Sequence, residues 1–169
     1  NHQFVNREAI VKSVPTAFET EIQSGDTVIV HHNIFRRWHD VRGKEKNSRN
    51  YFDENTYLVK EDQIFLYKRD EEWKVPKGYC FAQPIKDRVY LGIDKEEACI
   101  GIVKHTDGSY KEGDLIGFTP FSTYEFVIDG KRLYRVMTKF ITIKYEYQGN
   151  EKEYNPSWAE SSGGVNQSS

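Results

Sequence analysis

The sequence predicts an all-β protein, and three observations support that fold class. Short apolar runs rich in Val, Ile, Tyr and Phe alternate with turn residues, which is the pattern of strands joined by tight turns. Asp129-Gly130 separates two of these runs, and Asp-Gly favours a two-residue hairpin because glycine tolerates a positive φ. No segment has the sustained apolar periodicity of a helix, and Met occurs only once.

Length and charge limit the classes of function. The 169 residues suffice for one ordinary domain or two small ones. The formal net charge of −2 gives no global attraction to nucleic acid or to an anionic membrane. No apolar run approaches the roughly 20 residues that span a bilayer. The two cysteines, Cys80 and Cys99, predict free thiols in a reducing compartment, so we expect a cytoplasmic protein.

Residues 1–72 are predicted to form a first β unit with a polar insertion. The basic loop insertion covers residues 36–50, and within it residues 42–50 have few apolar atoms and no periodicity, which predicts a surface loop or a hairpin tip. Residues 68–72 are predicted to be a charged link. Strands are expected at residues 9–14, 27–30, 56–59 and 63–67.

Residues 73–148 are predicted to form a second β unit. Its first strand should end at Pro84, which has no amide hydrogen for a ladder. From residue 149 to residue 169 the chain is polar and predicts a flexible tail, in which Trp158 is able to dock on the body or on a partner. Strands are expected at residues 79–82, 99–103, 113–118, 126–128, 131–136 and 140–145.

The two halves repeat one another. Gly25-Asp26 and Gly113-Asp114 each open an apolar strand, and three further correspondences follow the same order. The distance from Gly-Asp to the final strand is longer in the first half by roughly ten residues, and this extra length falls in the basic segment, as expected when a duplicated module acquires an insertion in a loop. The further matching pairs are residues 10–12 with 102–104, 57–59 with 134–136, and 63–67 with 138–145.

The order and spacing of five short segments carry a family resemblance. They are Phe81-Ala82-Gln83-Pro84-Ile85, Gly101-Ile102-Val103, residues 113–118, residues 128–136 with the Asp-Gly turn, and Phe140-Ile141-Thr142-Ile143. In this succession the chain resembles the GroES-type co-chaperonin family, over residues 78–145 and more weakly over residues 8–68. The resemblance implies two tandem GroES-like small irregular β-barrels, and closure of such barrels would also pair the exposed edges of the sheets.

The same resemblance implies a protein partner. Members of the family bind a chaperonin ring through an apolar tripeptide on a long loop, and the matching segment here, residues 86–98, is short. Its candidate contact residues are Val89, Tyr90, Leu91 and Ile93, for which an ordinary strand is the competing interpretation. The resemblance therefore leaves two alternatives open: a divergent co-chaperonin of phage or viral type, with a homo-oligomer as one of its states, and a viral structural or assembly protein that kept the barrel without binding a chaperonin.

The basic segment suggests a different partner. Trp38 and Tyr51 lie near its cations and are able to stack on bases, so a nucleic-acid-binding barrel is a further alternative. Charge runs are usually solvated faces and the net charge gives no support, so we expect a solvated hairpin tip rather than a nucleic-acid site. The basic residues are Arg36, Arg37, Arg42, Lys44, Lys46 and Arg49.

Motifs for catalysis, cofactors and metals do not emerge from the sequence. There is no glycine-rich phosphate loop and no Gly-x-Ser-x-Gly. His31 and His32 are adjacent in a predicted strand continuation, so their side chains should point to opposite faces and not converge on one metal. His105 follows Cys99 across a turn, which does not imply that they pair. We therefore expect a non-enzymatic protein without catalytic residues, cofactor or metal.

Overall fold

The computed structural model describes residues 6–15, 20–87, 96–120 and 122–160. Within these ranges the fold is dominated by strands, and each strand pairing is antiparallel, so the predicted all-β class is confirmed. The described sheets are open rather than closed. The chain divides into two compact units, residues 1–76 and residues 77–169.

Unit 1 is built on a four-stranded sheet in the order β1-β2-β7-β8. Along the chain, the segment that joins β2 to β7 forms two further pairs, β3-β4 and β5-β6, and each pair is a separate two-stranded sheet. The strands are β1 (Asn6–Ile10), β2 (Thr27–His31), β3 (Arg37–His39), β4 (Glu45–Asn47), β5 (Tyr51–Asp53), β6 (Thr56–Tyr57), β7 (Ile64–Arg69) and β8 (Glu72–Lys74).

Strand β2 is the centre of unit 1. Val28, Ile29 and Val30 are all buried, although successive side chains of a strand point to opposite faces, so β2 is covered on both sides. Its core contacts on one face include Ile22 and Ile64. Burying an aliphatic side chain of this size contributes roughly 1.5–3 kcal/mol, which explains why the apolar run here is continuous rather than alternating.

Unit 2 contains a six-stranded sheet in the order β12-β13-β9-β10-β11-β14. The predicted Asp-Gly hairpin is present, with φ of 51° at Asp129 and 75° at Gly130 between β12 and β13. Its buried core includes Phe81, Leu133 and Val136. The strands are β9 (Tyr79–Lys86), β10 (Glu96–Thr106), β11 (Leu115–Phe118), β12 (Thr123–Ile128), β13 (Lys131–Met137) and β14 (Ile141–Tyr145).

A hydrogen-bonded corner, which we call the Gly-Asp corner, precedes β2 in unit 1. The amide of Val11 donates to the carbonyl of Asp26 at 2.8 Å, and the amide of Gly25 donates to the carbonyl of Val11 at 2.7 Å. The Asp26 carboxylate accepts from the amide of Gln23 at 2.8 Å and from the Arg69 guanidinium at 2.7 Å. Glycine is needed in this corner because φ at Gly25 is 92°.

The same corner precedes β11 in unit 2. The amide of Val103 donates to the carbonyl of Asp114, and the amide of Gly113 donates to the carbonyl of Val103, both at 2.8 Å. The Asp114 carboxylate accepts from the amide of Lys111 at 2.9 Å and lies 3.3 Å from Lys144 Nζ. The two units therefore share one pattern of backbone and carboxylate hydrogen bonds at positions that the sequence repeat aligns.

The strand that follows each corner also pairs in the same way. Strand β2 pairs with β7 and β11 pairs with β14, and in both pairs the register shifts, after Ile29 in β2 and after Gly117 in β11. A 3₁₀ helix directly precedes the third strand in both cases, Glu61–Gln63 before β7 and Thr138–Phe140 before β14. Each unit thus contains the succession strand, corner, strand, insertion, 3₁₀ helix and strand.

Several strand predictions were wrong. Strand β1 ends at Ile10 rather than continuing to residue 14, and β6 ends at Tyr57 rather than at residue 59. Strand β9 does not end at Pro84 but continues to residue 86. Proline is tolerated there because residue 84 contributes only its carbonyl to the pairing with the segment around Tyr154. That carbonyl accepts from the amide of Tyr154 at 2.8 Å. The charged link predicted at 68–72 is instead a tight hairpin between β7 and β8, with φ of 52° at Asp70 and 64° at Glu71.

The flexible tail predicted from residue 149 was also wrong for its first part, because this segment packs against unit 2. A bridge pairs Ile85 with Glu153. The amide of Arg132 donates to Asn155 Oδ1 at 3.0 Å, and Ala159 is completely buried. Backbone pairing with β9 and burial of small apolar groups hold a segment whose composition is polar. Residues 161–169 lie outside the described residues.

Candidate functional site

The strongest candidate site lies in the insertion of unit 1, because that insertion contributes nothing to the main sheet. In unit 2 the segment between β11 and β14 forms β12 and β13, and β13 pairs with β9. In unit 1 the segment between β2 and β7 forms β3-β4 and β5-β6, which pair only with each other within the described ranges. Side chains on these two hairpins are therefore free to serve a partner.

The tip of the first hairpin is organised by Asp40. Its Oδ1 accepts from the amide of Arg42 at 2.9 Å and from the amide of Lys44 at 3.0 Å. The amide of Asp40 donates to the carbonyl of Lys44, and the amide of Gly43 donates to the carbonyl of Asp40, both at 2.9 Å. A carboxylate that accepts from its own turn amides fixes the loop locally, which is why a polar sequence here forms a defined hairpin.

The hairpin sorts the basic residues between its two faces. Trp38 pairs directly with Lys46, and Arg36, two residues before Trp38, lies on the same face because side chains alternate along a strand. The Arg36 guanidinium lies 5.1 Å from the centre of the Trp38 ring. The Asp40–Lys44 backbone bond extends the register and brings Lys44 to this face together with Asp40, whose carboxylate accepts from the turn amides. We call Arg36, Trp38, Lys44 and Lys46 the Trp38 face.

The opposite face of the hairpin is closer to neutral. Arg37 pairs with Asn47 and His39 pairs with Glu45. The Arg37 guanidinium lies 3.9 Å from the Glu45 carboxylate. A hydrogen bond and an electrostatic interaction with Tyr57 raise the pKa of Arg37, and the charge of Glu45 adds a smaller effect in the same direction. The positive charge of this face is thus engaged within the protein.

The remaining basic residues lie apart from both faces. Arg42 is exposed at the hairpin tip, and Arg49 is exposed in the link between β4 and β5. The six cations that cluster in sequence are therefore distributed over the Trp38 face, the opposite face and these two turns. Their separation follows from the period of two in a strand, which a count of charges cannot show.

Aromatic contacts support the second hairpin. The ring of Tyr57 makes edge contacts with Phe35 at 4.8 Å and with Tyr51 at 6.0 Å between centroids. Tyr51 is 37% exposed and Phe52 is 62% exposed. The Asn50 side-chain amide donates to the carbonyl of Leu58 and to Gln63, which ties the hairpin to the start of β7. Two exposed rings thus follow the basic hairpin in the chain, on a supported backbone.

Val89, Tyr90, Leu91 and Ile93, the candidate chaperonin contacts, lie outside the described residues. Two of the histidines have ordinary structural roles. His31 Nδ1 accepts from the amide of Asn33 at 3.1 Å and caps a 3₁₀ helix. His105 is held against β9, where burial lowers its pKa.

The thiol of Cys80 is deeply buried in unit 2. Burial raises its pKa to about 12, so at neutral pH it is a protonated thiol packed in the core. Cys99 lies where β10 shifts its register against β9, and its φ is 59°. The sequence does not distinguish this position from that of Cys80. Both cysteines are free.

A second site, which sequence reasoning missed, is a cavity of about 250 Å³ in unit 2. The Arg135 guanidinium lies 3.6 Å from the centre of the Tyr79 ring. Burial lowers the pKa of Arg135, and interactions with Tyr79 oppose that shift. The sequence alone carries no signal for this site. It depends on the pairing of Tyr124 with Arg135, which is known only from the register of β12 with β13. We call it the Arg135 cavity, and its lining consists of Tyr79, Ser122, Tyr124, Arg135, Met137 and Phe140.

Comparisons of the chain with protein-family models, with curated proteins and with solved structures gave no match. In the part of the chain that the structure describes, no helix is long and apolar enough to cross a membrane. Within the same ranges, no three His, Cys, Asp or Glu side chains converge on a place that could hold a metal ion.

Proposed function

We propose that this chain is a non-enzymatic module that acts by contact with protein partners, and that its two units are diverged copies of a GroES-like β-barrel unit. The observation that carries the proposal is the Gly-Asp corner, which recurs with matching hydrogen bonds, register shift and 3₁₀ helix in both units. A duplicated scaffold with different insertions is typical of a protein whose contacts lie in loops.

In its most specific form, the proposal is that the chain contacts a chaperonin ring through the apolar residues of the 86–98 segment. Co-chaperonins of this type act by docking apolar side chains, so the chemistry required is a short exposed apolar run rather than a catalytic group. Leu91 and Ile93 supply that run in the sequence. The alternative proposal within the same class is an assembly protein of viral type that uses the same scaffold without a chaperonin.

Chaperonin ATP turnover tests the first form. The full chain, added to a chaperonin ring at saturating concentration, should suppress ATP turnover and co-sediment with the ring. The double variant L91S/I93S should lose both effects. Leu58, which is 64% exposed in unit 1, provides the matched control, since L58S removes a similar apolar surface elsewhere.

The outcomes separate the two forms of the proposal. No effect of the wild-type chain on the ring at saturation would reject the co-chaperonin. Equal losses in L91S/I93S and L58S would show that the contact is not made by the 86–98 segment. A defined homo-oligomer without any effect on the ring would favour the assembly protein.

A second candidate function is binding of single-stranded nucleic acid, and the Trp38 face favours it. An aromatic ring 40% exposed and three cations on one face match the stacking platform and the charged groove that such proteins combine. The net charge of −2 does not exclude a local contact, because screening confines exposed charges to about 10 Å.

The test is binding of a labelled oligouridine of about 12 nucleotides, followed by fluorescence anisotropy. Affinity should fall steeply between about 50 and about 200 mM salt, and R36Q/K46Q should flatten the logarithmic slope by about 1.4 because each phosphate contact contributes about 0.7. R37Q, on the opposite face, is the matched control. Salt-insensitive binding, or equal effects of the two sets of variants, would reject this site.

A further inference from the structure

Strand β12 is an outer edge of the six-stranded sheet. Residues Thr123–Ile128 pair with β13 on one side, and no strand pairs with the other side within the described residues. Along such an edge, every second residue directs its amide and carbonyl away from the sheet, which makes the edge a template for an added strand. Tyr124, near its start, is 73% exposed.

The Arg135 cavity lies at the start of this edge. Ser122 and Tyr124 contribute to its lining from the β12 side, and Arg135 is the direct cross-strand partner of Tyr124. The stack of Arg135 on Tyr79 fixes the plane of the guanidinium. The edge and the cavity therefore form one continuous surface, with backbone groups along the strand and a cation beside its first residues.

The charge of the cavity selects an acidic ligand. None of the six lining residues is acidic, and Lys139, next to the lining residue Phe140, adds an exposed ammonium group. The nearest acidic residue along β12 is Glu125, and its carboxylate accepts from the guanidinium of Arg132, which also donates to Glu96. A carboxylate that enters the cavity would meet a partly desolvated guanidinium, the kind of partner with which charge-assisted hydrogen bonds are strong.

We propose that β12 and the Arg135 cavity bind an extended acidic peptide segment of a partner protein, which adds a strand to β12 and places a glutamate side chain in the cavity. Strands in a sheet lie about 4.8 Å apart, so an added strand would lie about 9.6 Å from β13, a separation that a Glu and an Arg side chain span together. This inference rests on the proposed function as a protein-binding module and names the chemistry of one partner segment.

The experiment uses the full chain and two synthetic peptides of about eight residues, both alternating Val and Thr, with a central Glu in one and a central Gln in the other. Calorimetry should show the Glu peptide binding about tenfold more tightly than the Gln peptide. R135Q should remove that discrimination. K131Q, an exposed change of equal charge on the same strand, should leave it within about twofold.

Hydrogen exchange locates the added strand. Amides of β12 should gain protection with the Glu peptide, and amides of β14, the other edge, should not. A second variant avoids dependence on the folding of R135Q: Y124E places a competing carboxylate at an exposed position and should block the Glu peptide, while Y124Q should bind it. Protection of β14 instead of β12 would overturn the proposal.

Other outcomes also decide the matter. Inorganic phosphate at matched ionic strength should compete only weakly; equal competition without protection of β12 would assign the cavity to a small free anion. Equal binding of the Glu and Gln peptides would reject a carboxylate site. These peptide results and the chaperonin experiment have separate readouts. A failure in the chaperonin experiment therefore does not change the outcome expected for the peptides, and a failure with the peptides does not change the outcome expected for the chaperonin.

Discussion

The two units differ most in the insertion of their common succession of elements, which joins β2 to β7 in unit 1 and β11 to β14 in unit 2. Unit 2 uses this segment to widen its sheet, because β13 pairs with β9 and brings Leu133 and Val136 into the core. Unit 1 forms two small hairpins with exposed aromatic and basic side chains instead. The same connection thus widens the sheet in one unit and stays outside the main sheet in the other, so function should follow the insertions rather than the shared scaffold.

The largest expected effect concerns the carboxylates of the two corners. Asp26 is only 4% exposed and accepts two bonds from Arg69, so D26N should destabilise unit 1 by about 2–3 kcal/mol. D114N should destabilise unit 2 by about 1 kcal/mol or less, because its partner Lys144 has a side chain 58% exposed. Hydrogen exchange of β2 and β11 amides would measure each unit separately, and equal losses would contradict the asymmetry.

Acid should weaken the corners of both units. The hydrogen bond from Arg69 lowers the pKa of Asp26, and the amide of Lys111 lowers the pKa of Asp114. Because both folded-state pKa values lie below the unfolded value of 3.8, this stabilisation is complete above that pH and is lost as the pH falls through the folded values. Urea unfolding from about pH 7 to about pH 3 should show a smaller acid loss in D26N than in the wild type.

A glycine in unit 2 replaces an apolar residue of unit 1. Gly117 matches Ile29 in the repeat, because the register shift follows Gly117 in β11 and Ile29 in β2. A Cβ on Gly117 would lie 2.8 Å from the Ile143 side chain and 2.9 Å from the Tyr145 side chain. G117A should therefore destabilise unit 2 by about 1–2 kcal/mol through overpacking. Thermal unfolding is the measurement, and adding I143A should recover part of the loss. Simple additivity of the two changes would argue against the clash.

The smallest expected effect compares the two tight turns. Asp70-Glu71 and Asp129-Gly130 both have two positive φ angles, but only the second has glycine. E71G should stabilise unit 1 by about 1 kcal/mol, because a left-handed conformation is unfavourable for a residue with a Cβ. G130A should destabilise unit 2 by a similar amount. Denaturant midpoints would check both, and a loss of stability in E71G would show that Glu71 has another role.

Local sequence signals predicted the parts of the fold that local chemistry decides. The Asp129-Gly130 hairpin, the dense strand at β2 and the two Gly-Asp turns were readable because turn residues and branched apolar residues act over a few positions. The hairpin of Asp70 and Glu71 was missed because Glu71 does not favour a positive φ and stands where a typical tight turn has glycine, so pairing of β7 with β8 must hold the turn.

Long-range contacts decided the parts that were missed. Strand β9 continues past Pro84 because residues 152–154 lie beside it, and no signal near Pro84 reports that neighbour. The Arg135 cavity joins residues from three strands, one loop and a 3₁₀ helix, and none of these segments has an unusual composition. The six basic residues were found as a cluster, but their division between faces depends on the register of β3 with β4.

The sequence by itself determined the all-β class and the repeated order of short apolar runs, because strand propensity and turn chemistry are properties of neighbouring residues. The tertiary structure alone decided which carboxylate is buried with a cation, which side chains share a face, and which edge of a sheet remains open. Those features depend on strand order and register, which bring residues tens of positions apart into contact and leave no periodic trace along the chain.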